Sequence, residues 1–413
     1  MEKKSMDNVQ AQFVELLSCA IRGKKVDERT LGKYDWKELL EYADVHHVIG
    51  LVYSALPKSG EFTGADERLL EQFKKETALT IVGQIQHIRQ VAYVLGKFKE
   101  VNIPVILLKG LVVRGLYPLP ELRTMCDADV LVKESDLGKV DELMKNIGYA
   151  EGEKSPVHVS YFNKDYNRIE VHWTIEDRRF FNDEYGLEED MWQRAEKTKI
   201  GEIEALSFAP EDLALHLCIH MAVHIITGGF GIRQLCDLVL LVEKKGYSIN
   251  WQSFCEKMEK WGIEKFVSAL FMLCNQLFHM PIPDEIEKNT SRIDMDIVDN
   301  LAEDIISGGV YGKKDLPYIF ANEMAYDHEG RHAGSTTGVM MRLLKLLFPP
   351  WDRLSDQYAY ARKYKILLPV AWLHHIISGI RRREYGWNEK IRFLKSVIFI
   401  SRKRHELLKR LEL

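Results

Sequence analysis

Two acids one residue apart open an apolar run: Asp127 and Asp129 in Cys126-Asp127-Ala128-Asp129-Val130-Leu131-Val132. Read as a strand, this run points both carboxylates to one face, because successive side chains alternate. Like charges on one face either raise a pKa or recruit a divalent cation. Forty-one residues after Asp129, Ile169-Glu170-Val171-His172-Trp173 sets a third acid between β-branched residues. Three carboxylates on adjacent strands make a hard-oxygen set that suits Mg²⁺ (or Mn²⁺) rather than zinc.

The residues upstream bear on what such an ion would do. Val105 to Leu108 reads as a buried strand ending at Lys109-Gly110, and Leu111 to Tyr117 is helical until Pro118 and Pro120 stop it. Gly110 then lies at a strand-to-helix turn, where backbone N–H groups receive phosphate. Lys109 either neutralises phosphate charge or is a solvated strand-end lysine. Arg123, four residues before Asp127, either contacts phosphate or pairs with a site carboxylate. His172 shares a strand face with Glu170, so it touches nucleotide, orients a carboxylate, or simply packs. A phosphate-binding turn feeding a paired-carboxylate strand is a layout for metal-dependent phosphoryl or nucleotidyl transfer.

Further along, His216, His220 and His224 recur every four residues and form a stripe on one helix. Their apolar neighbours Leu213, Leu217, Met221 and Ile225 favour a packed helix over a zinc or iron site. His220 and Arg233 remain candidate substrate contacts. The simpler reading of Arg233 is an i,i+4 ion pair with Asp237.

The elements that must position these groups divide the chain of 413 residues into three. Residues 1–95 are a helical region, with a long helix within Asp66–Lys97. Residues 96–200 form a small core with strands at 105–108, 127–132, 157–162 and 168–175, and a helix that Ser135 caps and Gly148 ends. Residues 201–413 return to helices. The fold class is α+β, a small mixed sheet embedded between mainly helical regions.

Composition is that of an ordinary soluble chain, and Met1 to Gln12 lacks the apolar core of an export signal, which points to the cytoplasm. Six cysteines without a Cys-x-x-Cys pair read as reduced thiols. Residues 341–413 carry 17 Lys/Arg against 6 Asp/Glu, in a chain whose formal net charge is −4. That segment reads as a solvated helical surface rather than a nucleic-acid patch. The run Ile366 to Ile380 is too short and too polar to span a bilayer and reads as a buried helix.

With these residues in hand, the chain resembles the DNA polymerase β-like nucleotidyltransferases, and within them a bacterial group of largely uncharacterised members. The matching positions are Gly110, Asp127 with Asp129, and Glu170, set in Leu107-Leu108-Lys109-Gly110, Leu122-Arg123-Thr124-Met125-Cys126-Asp127-Ala128-Asp129 and Glu170-Val171-His172-Trp173. His216-Leu217 through Asp237 and Leu347-Phe348-Pro349-Pro350 also match. Leu111 stands where many members of the superfamily carry a small hydroxyl residue. The resemblance implies transfer of a nucleoside monophosphate from an NTP to a hydroxyl or phosphate acceptor, with Asp127, Asp129 and Glu170 as metal ligands. The acceptor it leaves open, with a small molecule or protein preferred to nucleic acid. The alternative is a non-catalytic nucleotide-binding or regulatory protein on the same fold.

Overall fold

The computed structural model describes residues 6–57, 67–176, 187–310 and 312, then 317–319, 321, 348, 351, 354, 358–381 and 387–413. It comprises two compact units. One is Met1–Ile225 with Gly229–Gly312 and Leu411–Leu413, and the other is Ile226–Gly228 with Lys313–Arg410.

The first unit opens with helices α1 (Asn8–Ile21), α2 (Glu28–Leu31), α3 (Trp36–Val45) and α4 (Ile49–Ala55). Asp7 and Gln10 close a reciprocal capping box at the start of α1, satisfying amides that the helix leaves bare. Next comes α5 (Glu67–Glu100), followed by β1 (Ile106–Leu107), α6 (Gly110–Val113) and β2 (Asp127–Leu131). Helix α7 (Leu137–Asn146) leads to β3 (Ala150–Lys154), β4 (His158–Asn163) and β5 (Tyr166–His172). Helix α8 (Leu187–Gln193), β6 (Glu196–Ile200) and β7 (Ile203–Ser207) complete the sheet. Helices α9 (Pro210–Thr227), α10 (Ile232–Lys245), α11 (Trp251–Lys260), α12 (Glu264–Phe278), α13 (Asp284–Thr290) and α14 (Met295–Gly308) follow.

The seven strands form one mixed sheet in the order β3-β4-β5-β2-β1-β7-β6. β2 runs parallel to β5, with Asp127 opposite Arg168 and Asp129 opposite Glu170. β4 runs antiparallel to β5, with His158 opposite His172 and Ser160 opposite Glu170. Alternation therefore gives the sheet two unlike faces. Ala128, Val130, Val159, Tyr161, Ile169 and Val171 point to one, where Val91, Val94, Leu95 and Phe98 of α5 and Val140 and Met144 of α7 complete an apolar core. The acids, with His158, Arg168 and His172, lie on the other. Among the described residues no helix is long and apolar enough to cross a membrane, and all six cysteines are free thiols.

Three details differ from the sequence reading. β3, β6 and β7 enlarge the sheet; β3 is exposed at every position, so it carries no apolar alternation to betray it. The chain enters α7 through a 3₁₀ turn at Glu134–Asp136, and no side chain caps the helix, so Ser135 has no capping role. Gly148 does end α7, at φ +85°, where a side chain would be strained. In the second unit, the helix Leu368–Arg381 forms, with Ala371 fully buried but Val370 and Leu373 55% and 60% exposed, so its described first turns are buried on one side only. Leu347, Pro349 and Pro350 of the late motif lie outside the described residues.

Candidate active site

The site is assembled by pinning backbones first. Gln84 of α5 accepts from the Met125 N–H at 3.1 Å and donates to the Met125 carbonyl at 2.9 Å. One turn on, His87 Nε2 lies 3.2 Å from the Asp127 carbonyl oxygen, and Gln90 Nε2 donates to the Asn167 carbonyl at 2.8 Å. All three side chains are buried and recur every third residue on the helix face turned to the sheet. They fix the start of β2 against the start of β5, which sets Asp127, Asp129 and Glu170 side by side. Nothing in the local sequence pattern singled them out.

Cations already thread the carboxylates. Arg168 Nη2 donates to Asp127 Oδ2 at 2.9 Å and lies 3.0 Å from Glu170 Oε1. Lys109 Nζ and His172 Nε2 both reach Asp129 Oδ1, at 3.1 and 3.0 Å. His158 Nε2 stands 3.8 Å from Glu170 Oε2, with His172 Nε2 at 3.7 Å from the same oxygen. The two aspartates respond in opposite directions. Burial and the charges of Asp129 and Glu170 push the Asp127 carboxyl up, despite the bond from Arg168. Burial acts the same way on Asp129, but Lys109 and His172 outweigh it and hold that carboxyl well below the usual range. Glu170 is likewise held low against burial by the nearby His172 and His158 imidazoles and the Lys109 ammonium.

The turn before α6 carries its strain on an unexpected residue. Lys109, not Gly110, has a positive φ of +46°, with ψ −122°. The Leu111 N–H donates to the Leu108 carbonyl across it at 3.1 Å. This is the geometry of a type II′ turn, whose first central position normally takes glycine. Gly110 is closely packed instead: a Cβ there would sit 2.8 Å from Met125 Sδ, and that side chain would have to shift. The amides of Leu111, Val112 and Val113 close onto the Leu108 and Lys109 carbonyls, a set that does not include those of Lys109 and Gly110.

Asp127, Asp129, Glu170, Lys109 and His172 are thus together, with Gly110 beside them. Arg123 is directed elsewhere. Its Nε donates to Asp237 Oδ1 at 2.9 Å, its Nη2 to Oδ2, and its Nη1 to the Thr124 carbonyl at 2.7 Å. The i,i+4 pair expected between Arg233 and Asp237 is replaced: Asp237 accepts from Arg123 and from Tyr117 Oη, while Arg233 Nη1 donates to Thr124. A two-pronged guanidinium–carboxylate contact is the stronger arrangement.

The histidine stripe lies near the carboxylates, and Lys109 and Asp129 both act electrostatically on it. His216 is fully buried with neither ring nitrogen bonded, edge-on to Phe208, and burial pushes its pKa down to about 3. His220 and His224 meet Nε2 to Nε2 at 3.0 Å, and His220 Nδ1 lies 3.7 Å from Glu176 Oε1. The residues that the sequence reading missed are His158 and Arg168, which reach the acids across strands, Glu176, and the three pinning side chains of α5.

The donor set fits a divalent cation. Three carboxylates converge, and Asp127 is pushed up by burial and then by its two acidic neighbours, while Asp129 and Glu170 are held low by the cations around them. Residues 32–279 match a family described as an uncharacterised nucleotidyltransferase. No curated protein matches. Among solved structures, that of the antibiotic-resistance factor ANT(2'')-Ia is 12% identical, over 43% of this chain and 96% of that one, with a TM-score of 0.31. The lincosamide antibiotic adenylyltransferase LnuA, with lincomycin bound, is 17% identical over 37% and 94%, with a TM-score of 0.28. An antigenic nucleotidyltransferase-like protein from Paracoccidioides brasiliensis is 13% identical over 47% and 97%, again at 0.28. Since the family match runs over more than half of the chain, this protein belongs to that family of nucleotidyltransferases.

Proposed function

We propose that the protein transfers a nucleoside monophosphate from an NTP to a hydroxyl or phosphate acceptor, releasing pyrophosphate, with Asp127, Asp129 and Glu170 holding Mg²⁺ or Mn²⁺. The observation that carries this reading is the register of Asp129 with Glu170 on parallel strands, with Asp127 two residues away on the same face. Bound there, divalent cations neutralise the triphosphate and acidify the acceptor hydroxyl.

The remaining work falls to the chain's own groups. The Lys109 ammonium, now on Asp129, is a buried positive charge beside the turn and supports the phosphates electrostatically. The Lys109 and Gly110 amides supply backbone donors at the same turn. Arg168 holds Asp127 and Glu170 at a fixed separation before substrate arrives. Glu170 orients, or takes the proton from, the attacking hydroxyl. His220, joined to His224 and Glu176, is a contact for the acceptor. A small molecule or a protein hydroxyl is the preferred acceptor, because the basic residues of the C-terminal segment are interspersed with Leu, Ile, Phe and Trp rather than arrayed for base stacking.

The test is incubation of the full chain with labelled NTPs, Mg²⁺ and a metabolite extract, followed by mass spectrometry of protein and extract. Label should appear on one acceptor with stoichiometric pyrophosphate, and disappear in Asp127→Asn/Asp129→Asn. Undiminished transfer by that double variant would overturn the reading. NTP binding with no transfer to any acceptor would instead favour the non-catalytic alternative.

A further inference from the structure

Glu170 divides its two oxygens between different partners. Oε1 takes Arg168 at 3.0 Å, while Oε2 faces two imidazoles, His172 Nε2 at 3.7 Å and His158 Nε2 at 3.8 Å. Those separations are too long for hydrogen bonds. They are close to the spacing of donors that share one ion: ligands about 2.1 Å from a tetrahedral centre lie about 3.4 Å apart. The three ligand atoms all fall within 4.8 Å of one another.

The sheet builds this convergence. β4 and β5 pair His158 directly with His172, and Glu170, two residues back, shares their face. The two rings stand 4.8 Å apart, tilted by 44°. His158 is also oriented from behind. Ser155 Oγ lies 3.1 Å from Nδ1 and 3.2 Å from the His158 carbonyl oxygen, which holds the ring in place. With its proton on Nδ1 the ring turns the Nε2 lone pair toward Glu170, the form a metal-binding histidine takes.

We propose that His158, Glu170 and His172 form a binding site for a first-row transition-metal ion, sharing Glu170 with the carboxylate set of the transfer site. It rests on the transfer reading only through that shared acid. Two imidazoles and one carboxylate suit Mn²⁺, Fe²⁺, Co²⁺ or Zn²⁺, whereas Mg²⁺ demands oxygen ligands. Binding at His172 uses the Nε2 lone pair, so the proton now shared with Asp129 Oδ1 departs as the ion takes its place, to solvent from an imidazolium or to Nδ1 from a neutral ring. The sequence reading of an all-oxygen set missed this because His158 reaches Glu170 only through strand pairing.

The experiment needs no nucleotide and no activity. Metal-stripped full-length protein is titrated with Co²⁺ and followed by its visible d–d absorption. The expected result is a saturable band at one ion per chain, retained under roughly hundredfold excess Mg²⁺, because nitrogen donors bind Mg²⁺ poorly. His158→Gln and His172→Gln should each weaken Co²⁺ binding by about tenfold or more, and Ser155→Ala by less. Asp127→Asn, outside the three ligands, should keep the band. Circular dichroism identifies any variant that fails to fold, and Ser155→Ala then reads the same site without removing a ligand. A missing wild-type band, displacement by equimolar Mg²⁺, or an unchanged band in both histidine variants would overturn the site. Since Co²⁺ binding is read without substrate, its failure is separable from a failure of nucleotidyl transfer.

Discussion

Lys109 Nζ lies 3.1 Å from Asp129 Oδ1, with the two side chains only 15% and 11% exposed. The same lysine occupies the positive-φ position of its turn, so one residue supplies both a buried charge and a strained backbone. Non-glycine residues in such conformations cost about 1–3 kcal/mol and persist where the surroundings over-determine them. Lys109→Gly and Lys109→Ala separate the two contributions, since both lose the ammonium and only alanine keeps the strain. Lys109→Gly should be the more stable by about 1 kcal/mol, the relief of strain being partly offset by the greater freedom of glycine in the unfolded chain. Urea denaturation of the pair checks this. Equal stability would mean that the turn is not strained.

Neutralising the two aspartates should have opposite effects on stability. Asp127 is pushed up by burial and by its acidic neighbours, so Asp127→Asn relieves repulsion. Its side chain is 34% exposed, so solvent screening keeps the gain below about 1 kcal/mol. Asp129 is held low by Lys109 and His172, and Asp129→Asn leaves a buried ammonium without its partner. That should cost about 2 kcal/mol or more. Thermal unfolding of the single variants without metal tests the sign, and destabilisation by both would show that repulsion at Asp127 is already compensated by Arg168.

The parts of the site legible in the sequence were those that a single strand encodes. Asp127 and Asp129 share a face because strands repeat every two residues, and Glu170 stands among β-branched residues that mark its own strand. What was hidden lies across strands or far along the chain. His158 and Arg168 reach the acids only through the pairing of β4, β5 and β2. Gln84, His87 and Gln90 look like ordinary polar positions of a long helix until their bonds to the Met125, Asp127 and Asn167 backbones are known. β6 and β7 were passed over because Glu196 to Lys199 and Glu204 interrupt them with charge. The helix at Leu368–Arg381 shows the converse, where apolar composition gave the helix but not the direction its side chains face.

Arg123 and Asp237 are 114 residues apart in sequence and form a buried pair, 8% and 2% exposed. Removing either alone strands a buried charge and should cost about 3–5 kcal/mol, whereas removing both with apolar replacements of similar volume is far less damaging. Arg123→Met and Asp237→Leu should therefore each lower the urea midpoint sharply, and the double variant should recover much of the loss. Additive losses in the cycle would show that the two side chains act independently.

His46 offers a pH test remote from the carboxylates. It is fully buried against Phe13, its Nε2–H donates to the Ile306 carbonyl at 2.9 Å, and Nδ1 has no partner. Burial pushes its pKa from 6.5 down to about 4, only partly opposed by that hydrogen bond. The folded state thus keeps His46 neutral over a range where the unfolded chain protonates it. Between pH 6.5 and about 4 the unfolded state binds more protons, so stability falls as pH is lowered through that window and levels off below it. The contribution is of the order of 2–4 kcal/mol. His216 and His224, also pushed down by burial, add to the same slope in the wild-type protein. His46→Gln keeps a donor for Ile306 but cannot titrate. The stability difference between wild type and His46→Gln should therefore shift in favour of the variant as pH drops from 7 to about 4.5, by about 2 kcal/mol. Denaturant midpoints at a series of pH values read this directly, and a difference that stays constant with pH would mean that His46 takes up its proton over the same pH range in the folded as in the unfolded chain.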